Sequence, residues 1–344
     1  MNIMRENDMY KTLRCPVDGG MLDPTQLRYD QVTDGKLVCR DCGKSYPVAS
    51  GAPDFVSNLD NQKATAKSFG YEWKLSVKHG IEDENLLFGV PRNEALEAFL
   101  NSTQFNENDV AGKKVLDAGC GNGYMASQLA KLGAEVYAID IHDYLPSIAE
   151  RYSDIDNLVF SKADIFDLPF AGGTFDVVYS YGVLHHTPNP AGAFDKLARL
   201  VKKDGKLSIY VYYSEVSRTN PFRVSKKIYD FLGLNHISNK GLLFLCYFLS
   251  LPMYILHGFY RVLRPFFPGT PEGWAEYGRG RKMLFRSMVM KWFDALSPRY
   301  ASTHKRSEVT GWFERNGFTD IFSPDGIGNY IICGTRKGGN NGSC

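Results

Sequence analysis

Three groups of residues in this chain have types and spacings that do chemistry: glycines gathered after an acid, carboxylates recurring at strand ends, and cysteines in knuckle pairs. The segment VLDAGCGNG (residues 115–123) places three glycines directly after an apolar run. Glycine tolerates positive φ and leaves the backbone open to close approach, so a side chain at Gly119 or Gly121 would occupy a ligand's space. The G-x-G-x-G spacing is neither the G-x-G-x-x-G of dinucleotide loops nor the pattern of phosphate loops. Asp117 in its midst would repel a pyrophosphate and attract a cationic amine. Asp140 ends the next apolar run, where nucleotide-binding α/β folds offer a carboxylate to vicinal ribose hydroxyls. Asp164, in Ala163-Asp164-Ile165 after a third run, offers an acceptor to an adenine amino group while Ile165 packs on the ring. Each acid alone reads first as a solvated turn or helix cap. Three at successive strand ends read as one site.

His185 and His186 follow a fourth apolar run, FDVVYSY at Phe175–Tyr181, on the sheet edge where α/β proteins hold their substrates. With an ordinary pKa of ~6.5, either imidazole is mostly neutral at pH 7 and suits a general base for a hydroxyl or amine. The competing role is to order the turn into Thr187 and Pro188. Near the N-terminus, CPVD (residues 15–18) and CRDC (residues 39–42) have the two-knuckle spacing of a zinc ribbon, with Asp18 where a fourth cysteine would stand. Asp ligates zinc through oxygen, so Cys15, Asp18, Cys39 and Cys42 are expected to close a structural site. The alternative is a ribbon that has lost its metal.

The elements that must position these groups follow from periodicity. KKVLDAG, AEVYAID, Asn157–Ser161, FDVVYSY and Lys206–Tyr212 read as strands, separated by helices YMASQLAKLG, Tyr144–Arg151 and Ala191–Val201. This beat predicts a Rossmann-like α/β fold, a doubly wound, mainly parallel seven-stranded sheet, with a small zinc-ribbon-like module and a helical insertion. The domain expectations are a ribbon over 1–60, a helical cap over 61–112 and a cofactor-binding core over 113–215. A helical insertion over 216–300, a closing helix and strands over 301–337, and a disordered tail over 338–344 complete the chain.

Lys+Arg 40 against Asp+Glu 38 leaves a formal net charge of +2, so no global field recruits nucleic acid. The odd number of cysteines, 7, the C-x-x-C pair and an N-terminus without an apolar signal core predict a reducing cytoplasm and no disulfides. The apolar run Leu242–Leu256 is shorter than the ~20 residues of a span and holds Pro252. It reads first as a buried or substrate-lining helix pair. Lys226, Lys227, Arg261 and Arg264 around it make membrane-surface contact through 242–264 the alternative, with peripheral membrane association.

VLDAGCGNG, VYAID, ADIFDLPF and FDVVYSYGVLHHTPNP resemble the successive motifs of class I S-adenosylmethionine-dependent methyltransferases, of the type 11 kind. The resemblance implies that the glycine loop, with Asp117, Gly119, Gly121 and Gly123, cradles the methionine and ribose portions of the cofactor. It also assigns the ribose hydroxyls to Asp140 and the adenine to Asp164. Ile141, Ile165 and Tyr181, beside those strand ends, complete the expected cofactor-binding set. LVCRDCGKSYPVASGAPDF resembles the Trm112-like zinc-binding modules that occur alone or joined to methyltransferases. Phe69, Tyr71 and Trp73 in SFGYEW either close over the cationic methylsulfonium or anchor the N-terminal cap, and Arg92 either pairs with the cofactor carboxylate or stands on a surface helix. The expected reaction moves a methyl group to an O, N or C nucleophile of a small or lipid-like molecule, with the apolar insertion and Phe266 and Phe267 as its wall. Methylation of RNA or tRNA, through the basic cluster Arg279, Arg281 and Lys282, is the rival enzyme reading. A non-catalytic scaffold whose zinc module recruits a partner is the reading outside enzymes.

Overall fold

The structure is a computed structural model that describes residues 9–25, 27–29, 33–56, 62–78, 94–103, 105–214, 221–234, 237–263, 285–323 and 331–338. Arg92, Arg264, Phe266, Phe267, Arg279, Arg281, Lys282 and most of the 338–344 tail lie outside the described residues.

The N-terminal strands β1 (Leu22–Asp23), β2 (Leu27–Tyr29), β3 (Thr33–Cys39), β4 (Ser45–Ala49) and β5 (Ala52–Pro53) form one antiparallel sheet. Alternation in β4, with Tyr46 and Val48 inward, gives this small sheet its apolar face. Three helices follow: α1 (Lys63–Lys78), α2 (Ala95–Thr103) and α3 (Glu107–Val110). Asn106 starts α3 with a capping box, its side chain accepting from the Asn108 and Asp109 amides.

The α/β core then runs β6 (Lys114–Ala118), α4 (Tyr124–Lys131), β7 (Glu135–Asp140), α5 (Leu145–Arg151), β8 (Leu158–Lys162), β9 (Phe175–Tyr181), α6 (Pro190–Leu200) and β10 (Val201–Tyr210). Near-continuous burial along β6, β7 and β8 is what a parallel sheet covered on both faces demands. After α7 (Pro221–Phe231), α8 (Asn239–Leu263), α9 (Phe285–Leu296) and α10 (Arg306–Arg315), the chain returns through β11 (Phe318–Phe322) and β12 (Ile331–Arg336). The spatial order is β11-β12-β10-β9-β6-β7-β8, with β12 antiparallel to β10 and the five strands from β6 to β10 parallel. The chain therefore winds outward from β6 in one direction and restarts beside it at β9. That makes the β6–β9 boundary the topological switch point, where loops diverge and leave a crevice.

Two expectations change. The strand anticipated from Lys206 starts at Val201 and carries an irregularity before Lys206, with Asp204 at φ 61°. The apolar run expected to be short and chiefly buried is part of a helix of 25 residues that passes through Pro252. Among the described residues, its first part, Asn239–Leu256, is long and apolar enough to cross a membrane by length and composition, and only 17% of it is buried.

The ribbon is built into the core. Leu13 bridges Phe170, the Arg14 amide donates to the Pro169 carbonyl at 2.8 Å, and the Phe55 amide donates to the Lys162 carbonyl at 2.8 Å. The module thus covers the open edge of β8, which would otherwise present unpaired backbone. One hydrophobic cluster joins Leu13, Leu37 and Phe55 of the ribbon to Tyr137, Phe170 and Phe175 of the core.

Candidate active site and metal centre

The glycine loop leaves β6 at the switch point. Gly119, Gly121 and Gly123 have φ of 91°, 54° and 71°, values that L side chains rarely adopt. The Gly119 and Cys120 amides donate to the Ile139 carbonyl at 2.8 and 2.9 Å, which ties the loop to the end of β7. What a side chain would meet here differs from the expectation of ligand space. A Cβ at Gly119 would lie 2.1 Å from Val183 Cγ2, at Gly121 2.5 Å from the Trp73 ring, and at Gly123 2.7 Å from the Phe160 ring. Glycine is required first because the loop after β9, the roofing helix α1 and β8 press against it.

Asp117, near the end of β6, is buried, and burial pushes its carboxyl up to about 7, with the nearby Asp140 charge adding to the rise. Asp140 accepts from the Gly121 amide through Oδ2 at 2.9 Å and from the Ile141 amide through Oδ1 at 2.7 Å. A carboxylate has about four acceptor sites, so lone pairs remain for two hydroxyls. His142, fully buried and overlooked in the sequence, places Nε2 3.2 Å from the Gly121 carbonyl and 3.9 Å from Asp140 Oδ1. Asp164 accepts from the Phe166 amide at 2.9 Å and from Gln62 Nε2 at 2.6 Å, so the residue ahead of α1 is bonded to the third acidic position.

Two residues of the expected set have other partners in the structure. Ile165 is packed in the hydrophobic cluster shared with the ribbon and offers little surface to an adenine ring. The Tyr181 hydroxyl is engaged with Ser208 Oγ at 2.7 Å across β9 and β10, and its ring packs on Phe99.

His185 and His186 form a single 3-10 turn, Leu184–His186, after β9. Both are buried. The His185 ring stacks on Tyr212 at 3.8 Å. His186 Nδ1 lies 2.7 Å from the Tyr300 carbonyl. A carbonyl only accepts, so Nδ1 carries the hydrogen and Nε2 keeps a lone pair. Burial lowers the His186 pKa to about 4, which holds the ring neutral at pH 7.

Helix α1 roofs this edge. Phe69 meets the His186 ring at 5.4 Å, Trp73 lies on Gly121, and Tyr71 packs on Phe293 of α9 at 5.7 Å. The aromatic triplet is therefore divided between the site and the helical insertion. Between Phe69 and Trp73, Glu72 is half-buried with its Oε2 out of solvent; burial and the adjacent Asp294 of α9 push its carboxyl well above the usual carboxylate range. Asp294 is itself raised to about 6 by burial. Glu72 Oε2 has no hydrogen-bond partner among the described residues. The sequence signal for Glu72 was an acid spaced like its aromatic neighbours along one helix face; Asp294 had none.

At the ribbon, the Sγ atoms of Cys15, Cys39 and Cys42 and a carboxylate oxygen of Asp18 all lie within 4.8 Å of one another. Zinc–sulfur bonds of ~2.3 Å put tetrahedral ligands about 3.8 Å apart. Cys15 and Cys42 are 3.7 Å apart, and Cys39 is 3.4 Å from Asp18 Oδ1. A Cβ at Gly20 would meet Cys39 Sγ at 2.8 Å, so this backbone position admits only glycine beside the ligands. The Tyr46 hydroxyl, 2.9 Å from Cys15 Sγ, is placed to donate to a thiolate. The residues fit zinc.

Residues 116–209 match the methyltransferase domain model, and residues 7–51 match the model of Trm112p-like protein. The ubiquinone biosynthesis O-methyltransferase of Xanthomonas oryzae pv. oryzae is 36% identical over 116 residues, covering 32% of this chain and 46% of that protein. The sterol 24-C-methyltransferase of Yarrowia lipolytica is 30% identical over 139 residues, covering 36% of each. The chain thus spans less than half the length of these curated relatives. A solved complex of the Haloferax volcanii Trm112 methyltransferase activator with a methyltransferase aligns with a TM-score of 0.43 at 16% identity, over 79% of this chain and 99% of that one. By these matches residues 116–209 are similar to a methyltransferase domain, and residues 7–51 ahead of them to a Trm112p-like module.

Proposed function

We propose that the protein transfers a methyl group from S-adenosylmethionine to a nucleophile of a small, apolar or lipid-like molecule. The observation that carries this reading is the meeting of Asp117, Asp140 and the positive-φ glycine loop at one topological switch point, beneath Trp73. Asp117 would receive the cofactor's ammonium group, and Asp140 its ribose hydroxyls. Asp164, oriented by Gln62, would receive the adenine amino group. When bound, the cofactor would supply an electrophilic methyl for the acceptor's lone pair, with the carbon–sulfur electron pair left on sulfur.

The chain's own part is alignment and exclusion of water. Phe69 and Trp73 wall the site, and neutral His186 can take the acceptor's proton at Nε2, whereas His185, stacked on Tyr212, holds the turn. A base with so low a pKa works in concert with transfer rather than ahead of it. Glu72 and Asp294, reaching in from the roof and the insertion, would meet the acceptor's polar end. The names of the matched relatives, one a ubiquinone and one a sterol methyltransferase, support an apolar acceptor. The ribbon's packing on its own sheet supports a structural zinc, and three thiolate ligands go with a reducing cytoplasm.

Calorimetric titration with S-adenosylmethionine, its demethylated product and NAD tests the first half. Binding of the first two and not NAD is expected; the reverse would sink the reading. Labelled methyl transfer into lipid extract but not into total tRNA is the expected second result.

A further inference from the structure

Helix α8 turns very different faces to the protein and to solvent. Leu242, Cys246 and Ser250 are buried, and the first two belong to the cluster formed with α9. On the other side Phe244, Phe248, Leu251, Ile255 and Phe259 recur at the spacing of one helical face, with Phe244 77% and Phe248 70% exposed. No Asp, Glu, Lys or Arg occurs from Gly241 to Tyr260. The end of α7 adds Phe231, 88% exposed, and Leu232. Contiguous apolar surface on this scale marks an interaction site rather than ordinary exposure.

A cationic band begins where this stripe begins. Lys63, Lys67, Lys74 and Lys78 are exposed and share one arc of α1, while the acid of that helix, Glu72, is turned into the protein. The Asn239 side chain at the start of α8 donates to the Lys67 carbonyl at 3.3 Å, and exposed Lys240 is its neighbour. These five lysines have no carboxylate partner among the described residues. Apolar stripe and unpaired cations are therefore joined at one corner of the molecule.

We propose that this face docks on an anionic phospholipid bilayer, with α8 lying in the plane of the interface, its aromatic stripe at the acyl-chain border and the lysines among headgroup phosphates. The packing of α8 on α9 argues against a span, because a spanning helix would have to leave that cluster. A second copy of the chain would cover the apolar stripe but would bring no anions to the lysines. The proposal builds on the lipid-like acceptor reading only for its purpose; the docking is measured without cofactor or methyl transfer, so either can fail alone.

The test is co-sedimentation of the full chain with vesicles of phosphatidylcholine containing about one quarter phosphatidylglycerol, against phosphatidylcholine alone. Binding to the mixed vesicles is expected, at least about tenfold tighter than to the neutral ones and weakened by salt. Lys67→Gln with Lys74→Gln, and separately Phe244→Ser with Phe248→Ser, should each weaken it about tenfold or more while leaving the thermal transition in place. Equal partition into both vesicle types, or no binding at all, overturns the proposal. So does a chain that resists extraction by alkaline carbonate, which would make α8 a span. A parent dimer in light scattering that the phenylalanine pair converts to monomer, with no vesicle binding, would assign the stripe to a second copy and overturn it as well.

Discussion

At the residue scale, Asp117 links cofactor binding to pH. Its carboxyl, raised to about 7 by burial, holds a proton in the free protein below that pH and must release it to pair with an ammonium group. Affinity for S-adenosylmethionine is therefore present above pH 7 and lost as pH falls, by about tenfold per unit, with proton release on binding. Calorimetry from about pH 6 to about pH 8 in buffers of different ionisation heat reads both effects. Asp117→Asn should flatten the slope, weaken binding and raise the free protein's thermal midpoint at neutral pH, since a raised carboxyl opposes folding increasingly as pH climbs from its unfolded value of ~3.9 towards 7. His186 has the opposite shift: lowered to about 4, it is neutral throughout this window and contributes no slope. His186→Ala should leave cofactor affinity nearly unchanged and lower the single-turnover rate by about 10²–10⁴-fold if Nε2 takes the proton. An unaltered rate would assign catalysis to alignment alone.

At the element scale, the loop after β6 and the turn after β9 form one unit. Gly119 stands at φ 91° with Val183 filling the place of a Cβ. Gly119→Ala adds a backbone strain and a clash, each of order 1–3 kcal/mol, so a loss of more than about 2 kcal/mol in chemical denaturation is expected. Pairing it with Val183→Ala should return the clash portion but not the strain; a double variant no better than the single would place the whole cost in the backbone. Helix α1 is the second such element: Gln62 just ahead of it reaches Asp164, Trp73 covers Gly121, and Tyr71 reaches α9, so the roof touches both the cofactor crevice and the insertion.

At the scale of the whole molecule, the ribbon is a wall of the α/β core. It covers the β8 edge through the Phe55–Lys162 hydrogen bond, and Lys162 Nζ pairs with Asp54 at 3.1 Å across the junction and with Asp143 of the core at 2.7 Å. Metal analysis of protein purified without chelator should find about one zinc per chain. Chelation, or Cys39→Ser, should then lower the thermal midpoint of the entire protein, because Leu13, Leu37 and Phe55 share a core with Tyr137 and Phe175. Loss of the metal with no change in that midpoint would show the module holding its shape without zinc.

Much of this was legible in sequence order alone. The strand and helix alternation, the glycine loop after an apolar run, the acids closing successive strands and the two cysteine knuckles are local patterns, set by backbone periodicity and by the spacing of ligands along a few residues. Asp117, Asp140 and Asp164 accordingly fall at the strand ends read from the sequence. What only the tertiary structure decided involves partners far apart along the chain. His186 is bonded to Tyr300, Glu72 faces Asp294, Trp73 rests on Gly121, and Tyr181 is turned to Ser208. Burial, a carboxyl's affinity for its proton and the exposed side of an all-apolar helix depend on which distant elements pack together, and the period of a single segment carries no information about that packing.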